Sequence, residues 1–429
     1  MELKREQLAP GVFLTAIETT KFKSATLSAT FLTPLERGKA AVNAIVPYIL
    51  RRGCETWPTM EAVSTRLDEL YGGMLEPAVR KKGETQCLGL IGSFLDDAYT
   101  LEGERILESA AELLYELLLK PVTEDGAFRS EYVSGERDNL LLAIRAQMND
   151  KRQFAMLRLV QEMCRDEHYG VDRLGGEADA KAITPQSAWD AYQDLLAHGV
   201  LELHYCGSAS LERVKVALRP LADALAPLRG EAVELDCEVR GNRAAAEPRT
   251  VVDHLDVTQG KLCLGFRTNG ACIWKENYPA LLVFNALYGG TATSKLFLNV
   301  REKLSLCYYA SANTDSLKGL CAVSSGVEFD KMQEAQEEIL AQLEAVKAGD
   351  FTQEDLQSAK QAVVNLYKSV LDSRSQLEQY CLTAAVTGVW DDTPEETARK
   401  VETVTAEEVA AIARGLELDT VYRLMGKEG

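Results

Sequence analysis

Tyr288-Gly-Gly-Thr-Ala-Thr-Ser-Lys-Leu-Phe-Leu-Asn-Val-Arg-Glu-Lys-Leu-Ser-Leu-Cys-Tyr-Tyr-Ala-Ser-Ala312 is the stretch on which the reading of this chain turns. Gly289 and Gly290 allow a loop that few other residues could shape. Leu296, Phe297 and Val300 have the spacing of a short amphipathic helix. Arg301 closes that helix, and seven residues later Tyr308 and Tyr309 enter a strand-like run. The glycine loop is not a G-x-x-x-x-G-K-[ST] phosphate cradle and has no evident magnesium partner, which sets nucleotide binding aside. It clears room either for an extended peptide or for tight chain packing.

Outward from this stretch, the flanking sequence alternates between strand and helix patterns. Strands are predicted at 261–266, 320–327 and 421–425, and helices at 278–288, 331–347 and 355–371. Thr405-Ala-Glu-Glu408 has the form of a capping box and starts a last helix. The first half reads similarly. Strands are expected at 11–18, 24–32, 74–80, 85–94 and 201–205. Helices are expected at 39–52, 60–71, 104–119, 128–147 and 152–165, with another starting at Thr184-Pro185.

The halves also end alike. Ile183-Thr184-Pro185, a helix, then a strand to Gly207 mirrors Val404-Thr405-Ala406, a helix, then a strand to Gly426. The separations are 221 residues (Thr184 to Thr405) and 219 residues (Gly207 to Gly426). A period near half the chain argues for internal duplication. The fold class expected is α+β: two homologous domains, each a twisted antiparallel sheet backed by helices, forming a clamshell. The first domain is expected at 1–220 and the second at 256–429. Residues 221–255, poor in apolar periodicity and containing Ala244-Ala245-Ala246, read as a linker.

Composition narrows the function classes. The chain has 429 residues, enough for two domains. Its net charge of -18 disfavours nucleic acid and anionic membrane as partners. No apolar run approaches the roughly 20 residues that span a bilayer, and the N-terminal residues have no apolar signal core. The default expectation is therefore a cytoplasmic protein. The ten cysteines include no C-x-x-C pair and read as buried thiols.

Over nearly its whole length the sequence resembles the insulinase/pitrilysin-type zinc peptidases and the mitochondrial processing peptidase. The resemblance rests on Arg51-Arg52-Gly53-Cys54-Glu55-Thr56-Trp57-Pro58, on Leu67-Asp68-Glu69-Leu70-Tyr71-Gly72-Gly73, on residues 169–207 and on residues 282–312. Active members carry H-x-x-E-H on the first long helix. There two histidines one turn apart bind zinc, and the glutamate takes a proton from the metal-bound water. Aligned through Ile49-Leu50-Arg51-Arg52-Gly53, this chain has Ala44, Pro47 and Tyr48 at those positions. Ala143 falls near the position of the third ligand, a glutamate on a later helix. None of His168, His198, His204 and His254 lies three or four residues from another. A catalytic metal and a cofactor are therefore not expected in this chain.

The resemblance implies that Arg301 and Tyr308 match an Arg and a Tyr that reach the substrate beside the zinc. A guanidinium supplies several permanent donors. A phenol can donate to a carbonyl oxygen that gains charge as water attacks. Gly289 and Gly290 are candidate substrate-binding residues in the same segment. Two plainer readings stay open: Arg301 paired with Glu302, and a tyrosine filling a sheet face. Tyr309 is the alternative to Tyr308, because neighbouring strand residues face opposite ways.

The function expected is that of a non-catalytic, substrate-binding subunit. A zinc-bearing H-x-x-E-H sister chain would supply the metal, and the substrate would be an extended peptide. A homodimer of the isolated chain is an open alternative. So is a catalytically dead scaffold, as in the core subunits of respiratory complex III. A peptide-binding or maturation accessory is a further alternative. A bacterial subgroup associated with modification of elongation factor P looks similar at Val46-Pro47-Tyr48-Ile49-Leu50.

Overall fold

The structure, a computed structural model, describes residues 4–235 and 247–427. The strands of the first sheet are β1 (Lys4–Ala9), β2 (Val12–Glu18), β3 (Ser24–Pro34), β4 (Met74–Lys82), β5 (Thr85–Leu95) and, after a two-residue hairpin of β6 (Thr123–Glu124) and β7 (Ala127–Phe128), β8 (Val200–Gly207). The second sheet holds β9 (Arg249–Leu255), β10 (Gly260–Arg267), β11 (Cys307–Asp315), β12 (Leu320–Val327) and β13 (Glu417–Gly426).

The sheet orders are β1-β2-β8-β3-β5-β4 and β11-β12-β10-β13-β9. Neither sheet is wholly antiparallel, as had been expected, for each contains one parallel pair. β8 inserts between β2 and β3. It runs antiparallel to β3 and therefore parallel to β2. β13 inserts between β9 and β10 in the same manner. Read from the parallel pair outward, β2-β8-β3-β5-β4 and β9-β13-β10-β12-β11 follow one plan.

The helices are α1 (Ala40–Arg51), α2 (Met60–Glu69), α3 (Ile106–Leu119), α4 (Ser130–Ala146), α5 (Lys151–Met163), α6 (Glu177–Lys181), α7 (Pro185–His198), α8 (Leu211–Leu225), α9 (Tyr278–Asn285), α10 (Met332–Lys347), α11 (Gln353–Val370), α12 (Arg374–Thr387), α13 (Pro394–Thr403) and α14 (Ala406–Arg414). Thr184 caps α7, with Pro185 in its first turn, and Thr405 and Glu408 cap α14 reciprocally. Each side-chain oxygen satisfies a backbone N–H that the first helical turn leaves unpaired. The region read as a linker is narrower than expected. Its start is the end of α8, whose Leu218, Leu221 and Leu225 are buried, and its end is the edge strand β9. Residues 236–246, including the alanine run, lie outside the described residues.

By packing, the chain forms two units, and each takes one helix from the other half of the sequence. The first comprises Met1–Arg145, Val171–Asp236 and Ser373–Gly388, and so includes α12. Its core joins Leu14, Leu27 and Leu90 of the sheet to Ile45, Leu113 and Leu117 of α1 and α3. On the other sheet face, α12 packs on β8 and β3. The second unit comprises Ala146–Gly170, Cys237–Asp372 and Val389–Gly429, and so includes α5. There Leu264, Phe284, Ile339 and Val363 lie in the main core. Ala155 and Leu159 of α5 pack on Cys263, Tyr422 and Leu424 on the opposite sheet face. Fully burying a side chain such as Leu159 contributes roughly 1.5–3 kcal/mol.

Charge pairs fasten both helices. Arg158 of α5 bonds Asp253, and just beyond α5 Glu167 takes Arg267 and Lys318, each at 2.7 Å. The nine cysteines within the described residues are buried. No described helix is long and apolar enough to cross a membrane.

Candidate functional site

The stretch after α9 is built from two widened helical segments, Ala286–Gly290 and Leu296–Lys303, whose turns close over five residues. Such turns are rare and recur at functional sites. The glycines are needed for space rather than for unusual dihedrals, since neither has a positive φ. A Cβ on Gly289 would lie 2.5 Å from the Ala312 nitrogen. A Cβ on Gly290 would lie 2.9 Å from the Asn285 carbonyl oxygen. At Gly289, tight chain packing is what the geometry displays.

Leu296 and Val300 are fully buried and anchor the second segment. The chain leaves it through Ser305, whose φ of 51° lies in the left-handed region that non-glycine residues seldom adopt. Arg301 stands on this segment with its side chain 41% exposed. Its guanidinium is 4.7 Å from the Phe297 ring centroid, and its Nε is 3.4 Å from a Glu302 oxygen. The expected pairing with Glu302 is therefore present but long.

The two tyrosines have opposite fates. β11 pairs with β12 through Cys307 and Val327, then through Tyr309 and Gly326, so Tyr308 is the extra residue of a β-bulge. A bulge re-aims a side chain and ends regular pairing. Tyr308 is 60% exposed, and its hydroxyl donates to Glu328 at 3.3 Å. Tyr309 instead lies across Gly326 with the Arg152 guanidinium 4.2 Å from its ring centroid. Burial pushes its phenol upward, and the Ser324 hydroxyl donates to it at 3.4 Å. Tyr309 is thus the tyrosine that fills a sheet face, and Tyr308 is the one exposed to solvent.

In the first unit, Ala44 and Pro47 of α1 are buried, and Tyr48 sits at the surface with its phenol pushed up by partial burial. Ala143 lies exposed on α4. The α4 carboxylate that reaches toward α1 is Glu136, and it accepts from Arg52 Nε at 2.5 Å. That pair was not singled out from sequence, because Glu136 and Arg52 are 84 residues apart. A zinc ion does not fit these residues. Alanine and proline side chains offer no donor, a protonated phenol is a poor ligand, and the nearby carboxylate already neutralises an arginine. Among the described residues no group of three His, Cys, Asp or Glu side chains is arranged to hold a metal ion. The histidines are dispersed: His198 Nδ1 meets Glu231 O, His254 Nδ1 meets Gly426 O, and His204 is buried in β8.

A family described as "Peptidase M16 inactive domain" matches residues 183–363. The chain is 33% identical to the "Probable inactive metalloprotease YmfF" of Bacillus subtilis (strain 168) over 422 residues, 98% of this chain and 97% of that protein. It is 28% identical over 166 residues to the "Uncharacterized zinc protease YmxG" of the same organism, covering 38% of this chain and 39% of that one. A solved structure of a conserved protein from Enterococcus faecalis V583 superposes with a TM-score of 0.90 at 25% identity, covering 100% of both chains.

Proposed function

This chain belongs to the peptidase M16 family as an inactive homologue, and we propose that it serves as the non-catalytic, substrate-binding subunit of a heterodimeric zinc peptidase. A sister chain with an intact H-x-x-E-H supplies zinc, water and base. This chain contributes Arg301 and Tyr308, which grip and polarise an extended peptide, with the Gly289-Gly290 turn beside them. The observation that carries the reading is Tyr308 itself. A bulge turns a large phenol 60% into solvent, five residues beyond the second widened segment, where a purely structural tyrosine would be expected to pack as Tyr309 does. The loss of the zinc ligands and base at Ala44, Pro47 and Tyr48 supports a role that depends on another chain. So does the similarity of this sequence to both a "probable inactive metalloprotease" and an "uncharacterized zinc protease" in one bacterium. The shared strand plan of the two sheets supports internal duplication, and we take the cytoplasm as the site of action.

Co-expression with a zinc-bearing relative from the same genome tests the reading. The expected outcome is a 1:1 complex that contains zinc and cleaves peptides, while this chain alone does neither. A partner that is fully active by itself and ignores this chain would overturn it and favour the scaffold alternative.

A further inference from the structure

In the first unit, the residues of β2, β3 and β8 that alternate with the core positions form a second, polar face. Leu14 and Ala16, Leu27 and Ala29, and Leu201 and Leu203 belong to the core. Thr15, Ser28, Thr30 and His204 therefore point the other way, under α12. There they line a small cavity closed by Glu378 and Cys381 of α12.

The hydrogen bonds on this face do not close. Thr15 Oγ1, Ser28 Oγ, Thr30 Oγ1 and both ring nitrogens of His204 are buried with no partner among the described residues. The two carboxylates of the cavity cannot serve all of these atoms, because each is engaged with an arginine. Glu202 accepts from Arg5, and Glu378 accepts from Arg80 at 2.7 Å through both oxygens. Burying one polar atom unpaired is costly, and five in one place would weigh heavily against the fold. The imidazole is neutral in such surroundings and needs one acceptor and one donor, and a hydroxyl can give and take. The ligand must therefore be small, uncharged and both donor and acceptor. The cavity leaves about 10 Å³ for the centre of a water-sized sphere, at the lower edge of what can hold one water molecule.

We propose that Thr15, Ser28, Thr30 and His204 form a built internal-water site, in which one ordered water bonds to His204 and to the hydroxyls of the strands and seals α12 onto the polar face of the sheet. An ion is disfavoured because the carboxylates are already neutralised by Arg5 and Arg80. The site explains how a helix from the far end of the sequence can cover a face of threonine, serine and histidine.

A crystal structure of the full chain, at a resolution that orders internal water, tests the site. The expected result is one density peak within about 2.6–3.2 Å of a His204 nitrogen and of at least two of the three hydroxyls. A dry cavity, or an ion in its place, would overturn the proposal. Water ²H and ¹⁷O relaxation dispersion supplies a measurement in solution. His204→Phe is expected to show one fewer long-lived water than the parent chain. Should His204→Phe not fold, the double variant Ser28→Ala, Thr30→Val makes the same comparison, because it leaves only one of the three hydroxyls. An unchanged count in a folded variant would equally overturn the proposal.

Discussion

Arg80 and Glu378, 298 residues apart in sequence, form a two-pronged ion pair in which Nη1 and Nη2 each lie 2.7 Å from a carboxylate oxygen. Arg80 is on β4, at the edge of the first sheet, and Glu378 is on α12. Both side chains are largely buried, at 16% and 5% exposure. The planar fork matches the carboxylate geometry and fixes where α12 sits on the sheet. Arg374 adds contacts to Thr26 and Ser93 from the same helix.

Breaking this pair from one side leaves a buried charge. Glu378→Gln or Arg80→Met alone is expected to destabilise the first unit by about 3–5 kcal/mol, whereas the double replacement costs much less. Thermal melts of the two single variants and the double variant measure the coupling. Additive losses would show that the pair does not act as a clamp.

The pH response of this region follows from His204. Burial pushes its imidazole down to about 4, with Glu378 opposing that shift and Arg80 adding to it. Glu202 with Arg5 and the thiol of Cys381 complete the titratable surroundings. In the unfolded chain the imidazole takes up its proton near pH 6.5. Stability from this group is therefore fully present above pH 6.5 and is lost as pH falls toward 4, by up to roughly 3 kcal/mol. Melting temperatures of the parent chain and His204→Asn across that window are expected to show a flatter dependence in the variant.

The first helix will not readily take back a zinc motif. Ala44 is fully buried, so Ala44→His forces an imidazole into packed space and is expected to cost about 1–3 kcal/mol. Metal analysis of the purified Ala44→His, Pro47→Glu, Tyr48→His variant should find no stoichiometric zinc, because Ala143 still supplies no third donor. Tight zinc in that variant would contradict the fit argument made for α1 and α4.

In the proposed heterodimer, Arg301→Ala and Tyr308→Phe are each expected to lower kcat/KM by roughly 10- to 1000-fold. Neither should alter the melting temperature greatly, since both side chains stand in solvent. Tyr309→Phe should leave kcat/KM near the parent value, because its hydroxyl has only a weak 3.4 Å contact with Ser324. Equal losses for Tyr308→Phe and Tyr309→Phe would contradict the assignment.

Much of this molecule is legible in its local sequence. The caps at Thr184 and Thr405 rest on residues adjacent in the chain, so short-range chemistry predicts where α7 and α14 begin. The loss of donors at Ala44, Pro47 and Tyr48 is likewise a matter of residue type. Other features were decided only when the chain folded. No apolar stripe marks α12, because its buried positions, Leu377, Glu378, Cys381, Leu382, Ala384, Val386 and Thr387, cover more than half of the helix circumference. Its place on the first sheet comes from Arg80, almost 300 residues away. β9 has no fully buried residue because it is an edge strand, and its parallel pairing follows from β13 entering between it and β10. The choice between Tyr308 and Tyr309 turns on one bulge in the β11–β12 register. A strand pattern with a period of two has no means of announcing an extra residue, so only the pairing of β11 with β12 turned Tyr308 outward.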